Sequence, residues 1–405
     1  MKILLLCNKP PYPASEGGPM AMNSIITGLL EAGHQVKILA VNSEKFNVKE
    51  SSIPEDYKKK TGIELIDVDL TIKPIKALLN LFTKKSYHVE RFISKEFKDR
   101  LVEVLKKEQY DVVQLEMLYM APYIATIREH SKAMVVLRAH NVEHKIWERV
   151  AKETKFFIKR WYINHLAKTL KEYELSVIET VDGIAAITRK DAALFRKYCS
   201  KPVIDIPYGI YPEEFTPKYD IKNQPKFYHI GSMNWMPNEE GIRWFIDEVL
   251  PKTVEKVPDF VYHLAGRNMP EWLTTMKNPH VNVIGEVPDA KEFVGNHDIA
   301  IVPLLSGSGI RIKIIESMAM GKTVITTRVG AEGILYDEEV NLIIAENIAK
   351  MVEAIRSLNE HPETAVRIGK AARKLVEETY DNRKIIARLL MFYEQIMPGS
   401  KISFL

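Results

Sequence analysis

The 405-residue chain has few cysteines and no long apolar run. Its two cysteines, Cys7 and Cys199, are too few for a disulfide framework or a cysteine zinc cluster, and they suit a reducing compartment. The apolar N-terminal run ends at Asn8 and is shorter than the roughly 7–15 residues of a signal-peptide core. No run approaches the ~20 apolar residues that cross a bilayer. We therefore expect a cytoplasmic protein.

The composition is that of a folded globular protein, with 46% hydrophobic and 27% charged residues. The length predicts two domains, or three. A formal net charge of +4 is too small to attract nucleic acid through the whole chain. No nucleic-acid partner is expected.

Apolar runs alternate with helical patterns along two stretches of the chain. The first stretch begins with a predicted strand at 2–7, a glycine loop, a helix at 20–30 and a strand at 35–41. The second begins with a strand at 227–231. Continuous apolar strands that alternate with helices are typical of parallel sheets covered on both faces. The sequence predicts an α/β protein with two doubly wound, Rossmann-like domains that face a central cleft.

A proline-rich segment and a long helical pattern suggest the domain boundaries. Four prolines between 207 and 225 indicate a linker, and 366–397 reads as one long helix. The predicted parts are an N-terminal domain at 1–206, a linker at 207–225, a second domain at 226–380, and a C-terminal helix at 381–405 that returns to the first domain.

The most informative motif runs from Ser306 to Lys322. A loop of Gly307, Ser308 and Gly309 follows an apolar strand and leads into a helix, whose free amides and positive dipole end suit a phosphate. Arg311 and Lys313 add two cations within one turn, and Glu316 lies about one turn further on. We predict a nucleotide diphosphate site, with the Glu316 carboxylate accepting hydrogen bonds from sugar hydroxyls. The alternative is a glycine-capped core helix with its charges in solvent.

This motif, taken from Pro303 to Gly333, resembles the C-terminal signature of glycosyltransferase family 4. Four further segments are similar to that family: Pro10–Gly18, Arg138–Asn141, Pro207–Ile210 and His229–Trp235. The resemblance implies a GT-B fold with an acceptor-side first domain and a nucleotide-sugar-binding second domain. It also implies metal-independent transfer, with retention of anomeric configuration, from a UDP- or GDP-sugar to a saccharide or lipid-linked saccharide. Such a reaction would serve surface-polysaccharide or glycoconjugate synthesis.

The resemblance also implies residue roles. The expected catalytic residues are His140, Arg311 and Lys313, without a metal or other cofactor. The expected donor-binding residues are Gly18, Gly231, Ser232, Val287, Ser308, Gly309, Arg311, Lys313 and Glu316. Ser308 stands where the family commonly has a first glutamate, and Ser232 where many members have an arginine. We therefore expect Arg311 and Lys313 to supply the cations for the diphosphate.

Three motifs suggest other chemistries. His140 to His144 matches a zinc-protease pattern, but that pattern needs both histidines on one helix face, and His140 follows a predicted strand. Asp67 and Asp69 resemble the metal-binding aspartates of another glycosyltransferase fold, although they fall in a predicted strand at 63–70. The loop at 307–309 lacks the third glycine of a dinucleotide fingerprint. Each of these alternatives is weaker than sugar transfer.

Two alternatives keep the predicted nucleotide-sugar site. One is a nucleotide-sugar-binding protein without turnover, which the serines at 232 and 308 make plausible. The other is a sugar-nucleotide epimerase on the same architecture, which would convert the donor without any acceptor.

The segment 145–171 is strongly basic and interleaved with aromatic residues. It contains eight Lys or Arg and two Glu, a local net charge of +6, together with Phe156, Phe157, Trp161 and Tyr162. A basic, aromatic helical stretch suits an anionic membrane surface, and 72–92 is a second such candidate. The segment therefore suggests peripheral attachment to the inner face of a membrane. Alternatively, the aromatic side chains face the core and the lysines face solvent.

Overall fold

The structure is a computed structural model that describes residues 1–14, 16–83, 85–221, 224–307 and 309–399. The chain forms two compact units. Unit 1 comprises Met1–Gly209 and the chain from Asn382 onward, and unit 2 comprises Ile210–Asp381.

Unit 1 is built on a seven-stranded parallel sheet with the order β3-β2-β1-β4-β5-β6-β7. Its strands are β1 (Lys2–Cys7), β2 (Gln35–Asn42), β3 (Glu64–Asp67), β4 (Val112–Glu116), β5 (Met134–Ala139), β6 (Gly183–Ala186) and β7 (Val203–Asp205). Its helices are α1 (Gly17–Glu31), α2 (Glu55–Thr61), α3 (Pro74–Asn80), α4 (Tyr87–Glu90), α5 (Lys95–Lys107), α6 (Ile124–His130), α7 (Glu143–Glu153), α8 (Phe157–Val177), α9 (Arg189–Tyr198) and, at the end of the chain, α17 (Asn382–Ile396).

Unit 2 repeats this plan with a six-stranded parallel sheet in the order β10-β9-β8-β11-β12-β13. Its strands are β8 (Phe227–Ile230), β9 (Tyr262–Ala265), β10 (Val281–Gly285), β11 (Ile299–Val302), β12 (Thr323–Thr326) and β13 (Ile343–Ile344). Its helices are α10 (Met236–Trp244), α11 (Leu250–Lys256), α12 (Glu271–Thr274), α13 (Ala290–Gly295), α14 (Ile312–Ala319), α15 (Ile348–Glu360) and α16 (Pro362–Thr379), with a π-helical turn at Phe245–Val249.

Strand registers bring distant residues to the same edge of each sheet. In unit 1, Cys7 of β1 is level with Glu116 of β4, which is level with Arg138 of β5. In unit 2, Ile230 of β8 is level with Ala265 of β9. The order of strands in each sheet reverses at the pair β1/β4 or β8/β11, and parallel α/β sheets bind ligands beyond the carboxyl ends of their strands at such a point. The fold therefore presents one candidate ligand-binding edge per unit.

The predicted single helix at 366–397 is wrong. The chain leaves helical geometry at Tyr380 and Asp381, between α16 and α17. The Tyr380 carbonyl accepts a hydrogen bond from the amide of Ile210 at 2.8 Å. Asp381 and Ile210 form an isolated parallel β-bridge. These contacts tie the end of unit 2 to its beginning, so α17 starts a new element in unit 1.

The basic segment at 145–171 is two helices rather than one continuous helix. It spans most of α7 and the first part of α8, which are separated at 154–156. Thr154 ends α7 through its amide and hydroxyl, which both donate to the carbonyl of Val150. Within the described residues, every helix is too short or too polar to cross a membrane.

Candidate functional site

Unit 2 contains a cavity of about 560 Å³ at the carboxyl ends of β8, β9 and β10. Five of the predicted donor-binding residues line it: Gly231, Ser232, Val287, Lys313 and Glu316. The last two project from α14, whereas the other three lie in the loops that follow β8 and β10. The cavity therefore collects these five residues from positions up to 85 apart in the sequence, between Gly231 and Glu316.

The backbone at Gly266 lies very close to the backbone at Gly231 in the wall of this cavity. Gly266, directly after β9, has a φ of +146°, and a Cβ built there would lie 1.8 Å from the carbonyl oxygen of Gly231. The Gly266 amide donates to the carbonyl of Gly285 at 2.7 Å, which links the ends of β9 and β10. Any side chain at 266 would force apart the loops that form the cavity wall.

Lys313 is held beneath the loop that follows β8. Its ammonium donates to Nε2 of His229 at 3.1 Å and to Oδ1 of Asn238 at 2.7 Å. The Asn238 amide nitrogen in turn donates to the carbonyl of Ser232 at 2.8 Å. Since Nδ1 of His229 faces the carbonyl of Ile301 at 3.0 Å, Nδ1 carries the proton and Nε2 is free to accept. Two side chains thus orient one cation toward the cavity.

The ionisable groups of the cavity have strongly shifted pKa values. Burial and, to a smaller extent, the nearby charge of Arg311 lower the pKa of Lys313 to about 7. Burial raises the pKa of Glu316 to about 7, which the charge of Lys291 partly opposes. Burial, followed by the charge of Lys313, lowers the pKa of His229 well below its usual value. Perturbed groups in a cavity are typical of functional sites, because an incoming charged ligand can take the place of lost solvation.

Arg311 does not line the cavity in this structure. Its side chain is buried, and its guanidinium donates to the carbonyls of Gly309 and, at 3.4 Å, Val329. The guanidinium carbon lies 5.3 Å from the centre of the Trp235 ring. Arg311 therefore lies directly before α14, close enough to affect the pKa of Lys313, but its described contacts are with backbone carbonyls and an aromatic ring.

The remaining predicted donor-binding residues lie elsewhere. Ser308 falls outside the described residues. Gly309 has a φ of +81° and precedes α14 without lining the cavity. Gly18 lies in unit 1, in the first turn of α1, where a Cβ would come within 2.9 Å of the Lys9 side chain.

His140 lies in unit 1, directly after β5, and it is part of a buried charged cluster. Its Nε2 is 2.6 Å from Oε2 of Glu116, and Nη1 of Arg138 is 3.3 Å from the same oxygen. The other Glu116 oxygen accepts from Gln114 at 2.6 Å, and Gln114 accepts from the hydroxyl of Tyr393 on α17. Glu116 and Arg138 are both completely buried. Glu116 therefore has a donor on each oxygen, as a buried carboxylate requires.

This cluster fixes the protonation of His140. Burial alone would raise the pKa of Glu116, but Arg138, His140 and Gln114 hold it below its usual value. Burial lowers the pKa of His140, an effect that Glu116 opposes. A neutral imidazole beside an ionised carboxylate carries its proton on Nε2. Nδ1 is then a hydrogen-bond acceptor at the edge of the sheet, on a side chain that is 8% exposed.

The residues of the two alternative metal motifs contact different partners rather than one another. His140 pairs with Glu116, whereas Nδ1 of His144 is 2.5 Å from Glu174 on α8. Asp67 ends β3 and accepts from Asn42 at 2.8 Å, while Asp69 lies beyond the strand. Among the residues that the structure describes, no group of three or more His, Cys, Asp or Glu is arranged to hold a metal ion.

His229, Asn238 and Glu116 contact the predicted site residues but are not among the residues predicted from the sequence. A polar residue that ends a buried apolar run is a signal for such a role, and Glu116 ends β4 in this way. His229 sits inside β8 next to the glycine turn, so its presence in an apolar strand was a second signal. Asn238 gives no comparable signal, because only the fold brings it to Lys313.

Comparisons with known proteins agree with this architecture. Residues 224–361, most of unit 2, match the family model described as "Glycosyl transferases group 1". The chain is 22% identical over 401 residues to an "Uncharacterized 44.6 kDa protein in cps region" of Klebsiella pneumoniae, covering 96% of this chain and 98% of that protein.

Three solved structures are similar over nearly the whole chain. Sucrose-phosphate synthase from Thermosynechococcus elongatus has a TM-score of 0.72 and 15% identity, covering 98% of this chain and 99% of that one. Anabaena HepE in complex with UDP-glucose has a TM-score of 0.65 and 12% identity, with 97% and 99% covered. WaaG, a glycosyltransferase involved in lipopolysaccharide biosynthesis, has a TM-score of 0.60 and 18% identity, with 98% and 100% covered. The chain therefore has the two-domain, Rossmann-like GT-B fold, and residues 224–361 resemble the group 1 glycosyl transferases.

Proposed function

We propose that this protein is a glycosyltransferase that moves a sugar from a nucleotide diphosphate sugar to an acceptor hydroxyl with retention of anomeric configuration. The observation that carries the proposal is the unit 2 cavity, in which the half-buried side chains of Lys313 and Glu316 lie on one helix. The match of residues 224–361 to the group 1 glycosyl transferases supports it.

In this proposal the cavity binds the donor. Lys313 contacts the diphosphate, Glu316 accepts hydrogen bonds from the ribose hydroxyls, and backbone near Val287 contacts the base. We propose UDP or GDP as the nucleotide. That HepE was solved with UDP-glucose supports the UDP alternative, since it shares this fold.

The chemistry requires stabilisation of a departing phosphate. The bond between the anomeric carbon and the phosphate oxygen breaks, and the acceptor oxygen bonds to the same face of the sugar. The acceptor proton passes to the leaving phosphate. Negative charge grows on that phosphate in the transition state, and Lys313 is placed to meet it. Arg311 would contribute directly only after its guanidinium turns away from Val329 and Trp235.

His140 is assigned to the sugar and acceptor side. With its proton on Nε2, its Nδ1 can accept a hydrogen bond from a substrate hydroxyl. We propose a saccharide or lipid-linked saccharide as the acceptor, used in surface-polysaccharide synthesis at the inner face of a membrane. The similarity to a protein in a cps region and to WaaG supports that setting.

A transfer assay tests the proposal. Purified protein is incubated, with chelator present, with UDP- and GDP-sugars and saccharide acceptors, and products are followed by mass spectrometry and by NMR of the new anomeric centre. We expect a product with the donor's anomeric configuration. An inverted product would contradict retention, and loss of activity with chelator would contradict metal-independent transfer.

The two alternatives give different results in the same experiment. An epimerase would convert the donor in an acceptor-free incubation. A binding protein would bind nucleotide without forming any product, and Lys313→Met would weaken that binding.

A further inference from the structure

Unit 1 exposes large apolar side chains on two segments, 72–82 and 155–161, here called the amphiphilic surface. The segments belong to α3 with its flanking residues and to the start of α8. Between 60% and 86% of each of six side chains is exposed: Ile75, Leu79, Phe82, Phe156, Phe157 and Trp161. Single exposed apolar residues are common on protein surfaces, but two neighbouring clusters of exposed apolar side chains indicate an interaction surface.

The two segments lie on neighbouring elements. The hydroxyl of Tyr87 on α4 accepts from the Lys73 amide at 2.9 Å and donates to the Lys73 carbonyl at 3.3 Å, which ties the start of α3 to α4. Asn80, at the end of α3, donates to Glu90 at the end of α4. Helix α4 in turn packs against α8. Tyr162, next to Trp161, is close enough to Tyr87 that this neighbour adds to the effect of burial in raising the pKa of Tyr162.

The charge on both segments has one sign. No Asp or Glu occurs between 70 and 83 or between 154 and 171. Lys76, Lys155, Lys159 and Arg160 are exposed beside the apolar side chains. Lys73 is paired with Asp69, which precedes the segment.

This combination favours a lipid surface over a protein partner. Protein interfaces are depleted in lysine and concentrate their apolar residues in a dry centre. The headgroup region of an anionic bilayer instead accommodates tryptophan and phenylalanine, while interleaved lysines face lipid phosphates. The amphiphilic surface has the second arrangement.

We propose that the amphiphilic surface binds an anionic lipid bilayer, with Phe156, Phe157 and Trp161 at headgroup depth. Segment 72–82 adds a second contact, so the chain attaches through two segments rather than through 145–171 alone. Binding does not depend on the transfer reaction. If the proposed function is right, this contact brings the protein to a lipid-linked acceptor.

Vesicle cosedimentation of the full-length protein tests the proposal. The probes are vesicles of phosphatidylcholine alone and of phosphatidylcholine mixed with phosphatidylglycerol, at low and high salt. Each cation near an anionic surface contributes about fivefold in affinity, the equivalent of about 1 kcal/mol. The double variant Lys159→Gln/Arg160→Gln should therefore bind the anionic vesicles about 30-fold more weakly.

Lys106→Gln/Lys107→Gln is the matched control. It removes the same charge from exposed positions at the end of α5, also in unit 1, and should bind as the wild type does. Phe82→Ser should weaken binding without any change in charge, which tests the second segment. The chain has five tryptophans, and Trp161→Phe should remove most of the vesicle-induced change in their emission.

Three results would overturn the proposal. The first is equal binding of the wild type to neutral and anionic vesicles. The second is an equal loss of vesicle affinity in Lys159→Gln/Arg160→Gln and in the control Lys106→Gln/Lys107→Gln. The third is self-association of the protein without lipid that Phe156→Ser abolishes. Nucleotide binding is measured on the same variants. Failure of vesicle binding with intact nucleotide binding would reject only the membrane contact, whereas the reverse would reject only the proposed function.

Discussion

At the scale of single residues, the proposed donor site makes nucleotide binding depend on the charge of Lys313. Lys313→Met should weaken UDP or GDP binding by about 1.5–3 kcal/mol, a factor of roughly 10 to 10², because one charged hydrogen-bond donor to a phosphate is lost. Isothermal titration calorimetry measures the change. Lys350→Met, on the exposed first turn of α15, removes the same charge outside the cavity and should leave the affinity unchanged. Similar affinities for both variants would remove Lys313 from the site.

Binding should also depend on pH through Lys313. Its pKa is about 7 in the free protein, and a diphosphate favours the protonated form, so binding should take up a proton and affinity should fall as the pH rises from 7 to 9. The terminal phosphate titrates near pH 6, below this window. Titrations in two buffers with different protonation enthalpies measure the uptake. Lys313→Arg stays charged throughout and should abolish the uptake, which leaves only the proton release expected near pH 7 from Glu316, whose pKa is also about 7. Uptake that persists in that variant would mean that another group titrates.

Glu116 is expected to position His140 and to set its pKa. Since Glu116 opposes the lowering of the His140 pKa by burial, Glu116→Gln should lower that pKa further and move the acid limb of the kcat profile to lower pH. It should also destabilise the fold by about 3–5 kcal/mol, because Arg138 loses its buried partner. The other titratable groups facing this cluster are Lys9, Cys7 and Tyr393, and burial raises the pKa values of Cys7 and Tyr393 so that both stay neutral.

The readouts for Glu116→Gln separate positioning from stability. If Glu116 had only a structural role, Glu116→Gln would lower the free energy of unfolding and leave the acid limb of the kcat profile unchanged. Nitrogen-15 NMR of His140 should show the proton on Nε2 in the wild type. A proton on Nδ1 would contradict the assigned hydrogen bond.

The sequence identified several cavity residues but not the contacts that orient them. Lys313 and Glu316 were predictable because helical spacing fixes them on one helix after a glycine loop. His229 and Asn238 were not, because their contacts with Lys313 join residues 84 and 75 positions apart, respectively. The orientation of Arg311 was equally hidden, since it depends on the carbonyl of Val329 on a later loop.

At the scale of elements, the ends of β8 and β9 must approach through glycine. Gly266→Ala should destabilise the protein by more than about 2 kcal/mol and weaken UDP or GDP binding, since its φ of +146° and the Gly231 carbonyl both exclude a Cβ. Chemical denaturation and nucleotide titration measure the two effects.

Gly285→Ala is the comparison for Gly266→Ala. Gly285 also has a positive φ, +81°, but no atom lies within 4 Å of a Cβ built at this residue. It should cost only about 1–2 kcal/mol, the penalty for a left-handed non-glycine residue. Equal costs for both variants would show that the close approach to Gly231 is unimportant.

The breaks between elements were harder to predict than the elements. The apolar runs at 2–7 and 35–41 predicted β1 and β2 closely, since buried parallel strands are continuous in sequence. The helical pattern at 366–397 continues through Tyr380, and no glycine or proline occurs between 370 and 397. Its break depends on the hydrogen bond from Ile210, a long-range contact that local periodicity does not reveal.

At the scale of the whole molecule, α17 belongs to unit 1 although it follows unit 2 in the chain. Phe392 of α17 is buried and lies against Gly183 of β6, within the core that contains Ile25 and Ile26. Phe392→Ala should therefore destabilise unit 1 by about 3–5 kcal/mol. Hydrogen exchange should quicken in β1 and β6 and stay unchanged in β8 and β11.

Met391→Ala is the control for Phe392→Ala, because its side chain is the exposed neighbour on the same helix. It should change stability by less than about 0.5 kcal/mol. Faster exchange confined to unit 2 after Phe392→Ala would contradict the placement of α17.

The alternation of apolar runs and helical patterns was enough to predict two doubly wound domains. The observed sheets repeat one strand order, with the first and fourth strands of each domain side by side. The donor, the acceptor and the stereochemistry depend on contacts with molecules that neither periodicity nor topology specifies.

The measurement that most directly tests the account is a thermal-shift panel with UDP, GDP, ADP, TDP and CMP, in the presence of chelator, on the wild type and Lys313→Met. A ligand at 100 times its dissociation constant stabilises the folded protein by about 2.7 kcal/mol. We predict that UDP or GDP stabilises the wild type, that CMP does so less, and that Lys313→Met loses the shift. No shift with any nucleotide, or an equal shift in the variant, would contradict a nucleotide diphosphate site at Lys313 and Glu316.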